Sequence, residues 1–218
     1  MCQSITQVHP HEPGYNEATW LRGVGTAVFV PENFEPAYRY PVVVWLEASG
    51  SGFEARTWFP LITPRNVLAI SLQPESSGPA AWQTPPYDVS LALEYVGKSV
   101  AEVAAEIAVH PRRIFLAGSG DGAAMAADIL CLEPVRFAGA ILIDPTVGAA
   151  SISPHARRCA RRSPVLIARR REAKTPLHRN RLESRLEIET VSGLSKPALA
   201  RAMNHWLMAQ MESAATSP

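Results

Sequence analysis

Gly118-Ser-Gly-Asp-Gly122 sets a hydroxyl and a carboxylate, Ser119 and Asp121, among glycines. The apolar run Ile114–Ala117 precedes them, and the Ala-rich stretch Gly122–Leu132, of good helix propensity, follows. In open α/β sheets the residues just after each strand are the ones placed to touch ligand, so both side chains are candidates for nucleophile or base. Either would need an acid–base partner within about 3.2 Å and N–H donors aimed at a developing oxyanion. The histidines to weigh are His155 and His178, both in an Arg-rich stretch, and His205, in Asn204-His-Trp-Leu. His205 is expected to lie on a helix surface or in helix packing. A second glycine-rich segment, Ala48–Gly52 (ASGSG), lacks the Lys-Ser/Thr that a phosphate loop needs. The cysteines, Cys2, Cys131 and Cys159, are odd in number and form no CxxC pair. That argues against a disulfide framework or a zinc site; Cys131 reads as a small core residue, and neither a metal nor another cofactor is expected.

Rigid elements must carry these groups. Pro41–Leu46 (PVVVWL) is continuously apolar, the mark of a strand buried on both faces. Val67–Leu72, Ile114–Ala117, Ala138–Ile143 and Pro164–Ala168 read the same way, Val24–Val30 is a β-rich run stopped by Pro31, and Leu186–Val191 alternates like an edge strand. Between them lies helical spacing. Leu93, Val96, Val100, Val103 and Ile107 recur every three or four residues within Val89–Val109, with His110-Pro111 as the stop. Gly122–Leu132 is a second helix and Pro197–Met211 a last one, with Pro197 suited to its first turn. Strands alternating with helices predict an α/β fold, a three-layer sandwich with a mostly parallel central sheet and helices on both faces. Residues 1–20 read as a loose N-terminal arm and 21–218 as a single domain. Gln73–Pro86, rich in Pro, Gly and Ser, is expected to lie over the strand carboxyl ends, with Trp82 as a candidate pocket wall. Trp45 and Trp206 read as core.

Composition narrows the classes. The 218 residues carry a formal charge of +1, with 47% apolar and 19% charged residues. That balance excludes a disordered chain and removes whole-protein attraction to nucleic acid or anionic membrane. No apolar run approaches the roughly 20 residues that cross a bilayer. Met1–Gly14 has no Lys, Arg or apolar block, so no secretory signal is expected and a cytoplasmic location is. The near-neutral total hides a dipole: His155–Arg185 holds eleven Lys/Arg and two Glu, a local +9, whereas residues 1–111 hold eleven acids and five bases, a local −6. The basic stretch is either an anion site or a solvated loop paired with the acidic half. It lacks the interleaved aromatics of single-strand binders, so nucleic acid is not an expected partner.

Arg113–Ala126 (RIFLAGSGDGAAMA), a strand, tight turn and helix, resembles the nucleophile elbow of α/β-hydrolases, where the turn reads G-x-S-x-G. The branch it resembles is that of small carboxylesterases and phospholipases, similar to dienelactone hydrolases. Other segments agree in order: Tyr40–Gly52 with the strand and oxyanion loop, Val135–Ile143 with the next strand, Ser163–Pro176 with the strand and loop of the acid, and Leu186–Leu194 with those of the histidine. The resemblance covers roughly residues 25–212 and implies an α/β-hydrolase-like fold. Laid on the motif, Gly118, Ser119, Gly120, Asp121 and Gly122 put Gly120, not a serine, at the nucleophile position. That position is normally strained, often with φ > 0, which glycine adopts freely. Ser119 stands one residue early, so its side chain is expected to leave the turn in another direction. Past Ala168 only Glu172 offers an acid, flanked by cations, and Ser192–Lys196 (SGLSK) has no histidine. Glu47-Ala48 replaces the His-Gly of the oxyanion loop. In the hole, Glu47 would oppose an oxyanion by about 1–4 kcal/mol at 4 Å; it is expected instead to face solvent or pair with an arginine.

The expectation is a catalytically degenerate homologue of that family, with a binding or interaction site at Glu47, Ala48, Ser49, Gly50, Trp82, Ser119, Gly120 and Asp121 for a small or anionic molecule. The alternative is an active serine hydrolase with machinery rearranged around Ser119, in which Ser119 or Asp121 is served by His155 or His178.

Overall fold

A computed structural model of the chain describes residues 19–23, 26–48, 54–63, 65–73, 88–145, 163–170 and 186–216. The strands are β1 (Thr19–Gly23), β2 (Thr26–Val30), β3 (Tyr40–Leu46), β4 (Leu68–Leu72), β5 (Val109–Ser119), β6 (Gly139–Ile143), β7 (Ser163–Arg170) and β8 (Leu186–Leu194). The helices are α1 (Ala55–Ile62), α2 (Val89–Ala104), α3 (Gly120–Leu132) and α4 (Lys196–Thr216). The strands form one eight-stranded sheet in the order β1-β2-β4-β3-β5-β6-β7-β8. β1 with β2 and β2 with β4 are antiparallel, and every pairing from β4 across to β8 is parallel.

Parallel strands need crossovers, and the helices that make them bury both faces of the sheet. Along β3 the alternation is direct. Val42, Val44 and Leu46 face the layer that holds Val96 of α2 and Met125 of α3. Val43 and Trp45 face the layer that holds Phe59 of α1 and Leu207 of α4. Helices thus cover both sides of a mostly parallel sheet, as the sequence predicts. All seven residues of β3 are buried, and Trp45, Trp206 and Cys131 lie in the core.

Several expectations need correction. Thr19 and Trp20 belong to β1, not to an arm; the rest of the proposed arm lies outside the described residues. β2 covers Thr26–Val30 of the expected run; Val24 and Gly25 lie outside the described residues. α2 ends at Ala104, where the amides of Glu106 and Ile107 both fold back on the carbonyl of Val103. Val109, His110 and Pro111 open β5 instead of ending the helix, and the β3–β5 register shifts there, where proline has no N–H to give. α4 runs on to Thr216. α1 was not expected at all.

Candidate functional site

Three glycines shape the turn from β5 into α3, each for its own reason. A Cβ on Gly118 would stand 2.7 Å from the backbone carbon of Gly122, and one on Gly122 only 2.1 Å from the carbonyl oxygen of Leu46. Both are therefore fixed by backbone approach, which packs the start of α3 against the ends of β5 and β3. Gly120 has φ +55, the left-handed region expected of the elbow apex. The turn has the conformation of a nucleophile elbow with a hydrogen at its tip.

Ser119 precedes that tip in extended backbone, φ −123 and ψ 152, as the N-cap of α3. Its hydroxyl does not cap the helix. It donates to the Glu54 carboxylate through Oε2, and the residue is 2% exposed. Asp121 lies in the first turn of α3, and its Oδ1 accepts from the Gly122 amide at 3.1 Å. A carboxylate there also suits the positive end of the helix dipole.

Glu54 is the N-cap of α1, yet its side chain makes no cap bond, being turned to Ser119. The cap comes from another element. Glu47, immediately after β3, accepts from the amide of Glu54 at 2.8 Å and from that of Ala55 at 3.1 Å. Ser71 of β4 donates its hydroxyl to the same carboxylate at 2.5 Å. Glu47 is fully buried, so it does not face solvent, which corrects that part of the expectation. The amides at a helix start need an acceptor, and Glu47 supplies one from inside the sheet. Burial raises its pKa to about 7; the hydrogen bonds from Ser71, Ala55 and Glu54 pull it down in part, and the neighbouring Glu54 charge adds to the rise.

Further along the rim, Asp144 follows Ile143, the β6 partner of Ser119. It has φ +43, rare for a residue with a Cβ. It is held there by Arg170 at the end of β7, whose amide donates to Oδ1 at 3.0 Å and whose Nε donates to Oδ2. After β8, where the resemblance places a histidine, Lys196 donates to Thr57 Oγ1 at 2.9 Å and stands 4.8 Å from the centre of the Trp58 ring. One short helix, α1, thus contacts the β5–α3 turn through Glu54, the end of β3 through Glu47, and the start of α4 through Thr57 and Trp58.

Two histidines fall among the described residues, and neither reaches the elbow. His205 is exposed on α4. His110 is at the amino end of β5, nine residues from Ser119 and so roughly 30 Å away along the strand. His155, His178, Glu172, Ser49, Gly50 and Trp82 lie outside the described residues. Ala48 is half-buried beside Glu47. Among the described residues no group of three or more His, Cys, Asp or Glu is arranged to hold a metal ion. No described helix is long and apolar enough to cross a membrane. The sequence reading missed Glu54, Ser71 and Asp144; the one local signal was the helical spacing of Ala55, Trp58, Phe59 and Ile62, all buried.

No family model and no curated protein matches the sequence. The fold, however, is shared with solved structures. A CE1 ferulic acid esterase from Anaeromyces mucronatus superposes with a TM-score of 0.65 at 14% identity, over 89% of this chain and 92% of that one. A phospholipase/carboxylesterase from Dyadobacter fermentans gives 0.60 at 16% identity, over 88% and 100%. The chain has an α/β-hydrolase fold. A thermostable esterase gives 0.53 at 19% identity, over 84% of this chain; of that longer esterase the chain spans 58%. Within this fold the elbow after β5, the strand end after β3 and the loops after β7 and β8 are where the resemblance places hydrolytic machinery.

Proposed function

We propose that the chain is a catalytically degenerate homologue of the carboxylesterase/phospholipase-like α/β-hydrolases, acting as a binding or interaction protein through the rim around Gly118–Gly122 and Glu47. Gly120 carries this reading: the apex keeps φ +55 but bears no side chain. Three further observations support it. Ser119, the nearest hydroxyl, is buried and engaged with a carboxylate. Ser192–Lys196 contains no histidine. Glu47 spends its carboxylate on the start of α1. Loss of a triad nucleophile alone lowers turnover by about 10⁶, and here the base position has changed with it. The proposed ligand of this rim is a small or anionic molecule, and a cytoplasmic setting is part of the same reading.

One observation favours a second reading, a serine hydrolase rearranged around Ser119. The bond to Glu54 gives that hydroxyl a proton acceptor, so attack of Oγ on an ester carbonyl would pass its proton to the carboxylate and expel the alcohol. A fluorophosphonate probe separates the two. The first reading expects no labelling of the full chain, and no hydrolysis of short p-nitrophenyl esters above background. Labelling that disappears in Ser119→Ala overturns it.

A further inference from the structure

We propose that the amino end of β5 holds a binding site for the phosphate group of a soluble small molecule, built by Arg39, His110 and Arg113 at the opposite end of the strand from the elbow. The backbone makes the site first. Tyr40 of β3 pairs with Val109 of β5, and Val42 pairs with Ile114. Residues 110–113 therefore stand as four against the single Pro41, and the two strands lose register there. On the other side of β5 the ladder with β6 begins only at Phe115. A bulge of this kind leaves the ladder and re-aims the side chains it carries, which here are His110, Pro111, Arg112 and Arg113. Neither Pro41 nor Pro111 has an N–H to give, which suits a place where ladder bonds stop. Arg39 joins them from the residue before β3, because the amide of Tyr40 donates to the carbonyl of Ala108 at 2.9 Å and holds the two segments side by side.

The side chains gather around His110. The amide of Arg112 donates to its Nδ1 at 3.3 Å, which leaves Nε2 to carry the proton of the neutral ring. His110 and Arg113 are half-buried, whereas Arg39 and Arg112 are exposed. Among the described residues Arg39 and Arg113 form no ion pair, and Arg113 Nε is buried without a hydrogen-bond partner. Burial, and after it the charges of Arg113, Arg112 and Arg39, hold the imidazole below its ordinary 6.5, so guanidinium groups from two segments are felt at one ring. A buried N–H without an acceptor is costly, and crowding like charges adds to the cost. An anion that brings acceptor oxygens offsets both. A carboxylate has one charge and two oxygens, and would leave one of the two guanidinium groups uncompensated. A phosphate group carries a charge of about −1.5 to −2 at pH 7 and three terminal oxygens, enough for Arg39, Arg113 and the Nε2–H of His110. Arginine matches such oxygens with two parallel N–H donors. Because His110 and Arg113 are half-buried, the phosphate must enter as a protruding end, as on a soluble monoester, rather than lie in a flat bilayer surface. The site neither uses the elbow nor depends on what the rim there binds.

The experiment is an NMR titration of the full chain with inorganic phosphate and then glycerol phosphate, each compared with sodium chloride at the same ionic strength. The expected result is a set of saturable shifts at the Arg113 Nε–H signal, the His110 ring and the amides of Arg39 and Arg112. The His110 midpoint should rise in phosphate, since an anion offsets the charges that hold it down. Arg113→Gln and Arg39→Gln should each weaken phosphate about tenfold, and Arg201→Gln, exposed on α4, should leave it unchanged. Arg39 is exposed and lies outside the strands, so its variant carries the test even where Arg113→Gln does not fold. Three results overturn the site: shifts no different from those in chloride, saturable shifts that survive both Arg39→Gln and Arg113→Gln, or sedimentation with phosphatidic acid vesicles in the absence of binding to either soluble phosphate.

Discussion

The hydroxyl of Ser119 donates to the carboxylate of Glu54 across 65 residues of sequence, and so the head of α3 is joined to the head of α1. Ser119 is almost completely buried and Glu54 half-buried. A hydrogen bond to a charged group in such a place contributes about 1.5–3 kcal/mol. Ser119→Ala and Glu54→Ala should each destabilise the fold in urea. The double variant should then lose less than the sum of the two, by a coupling of roughly 1–3 kcal/mol. Additive losses would show that the contact contributes nothing to stability.

Gly120→Ser tests the elbow directly. At φ +55 a residue with a Cβ costs roughly 1–2 kcal/mol, so the variant should be less stable than the wild type by about that amount. It should also hydrolyse short p-nitrophenyl esters no faster than background, because Ser192–Lys196 brings no imidazole to the new hydroxyl. A Gly120→Ser protein that turns over esters would show that a base already stands at the rim.

What could be read from the sequence divides along a physical line. β3 was legible because Pro41–Leu46 is apolar throughout and both its faces are buried. α2 was legible because its apolar residues recur at helical spacing; the structure adds a local N-cap that the sequence reading did not use, Asp88, whose carboxylate accepts from the amides of Ser90 and Leu91. α1 has the periodicity but not the cap. Its cap is Glu47, seven and eight residues upstream of the amides it receives, and Pro60 inside the helix removes an amide and argues against one. The elbow was legible because its glycines answer to backbone geometry in a single turn. The Glu47–Glu54–Ser119 chain was not, because each of its bonds joins elements that the sheet brings together from distant parts of the sequence.

Gly122 and Gly193 separate two reasons for a glycine. A Cβ on Gly122 would lie 2.1 Å from the Leu46 carbonyl oxygen, a backbone atom of β3 that cannot turn aside. Gly122→Ala should therefore force α3 off the sheet and destabilise by about 3 kcal/mol or more. At Gly193 the φ is +74, but a Cβ would meet nothing within 4 Å. Gly193→Ala should cost only the backbone strain, roughly 1–2 kcal/mol. Equal losses in urea midpoints at the two sites would contradict the packing of α3 against β3.

Glu47 also sets a slope of stability with pH, opposite in sign to that of most carboxylates. Its pKa is about 7 in the folded chain against an ordinary 4.5, because the fold takes a charge out of water and only partly replaces the lost solvation. Below pH 4.5 both folded and unfolded chains hold the proton, and this group is neutral to stability. Between pH 4.5 and 7 the folded chain still holds a proton that the unfolded chain has released, so stability falls as pH rises. Above 7 the loss is complete, on the order of 3 kcal/mol. Urea unfolding at pH 5 and pH 8 should show the higher midpoint at pH 5, and Glu47→Gln, which cannot titrate, should remove this part of the difference. A Glu47→Gln chain with the same pH slope as the wild type would place the raised carboxyl elsewhere in the molecule.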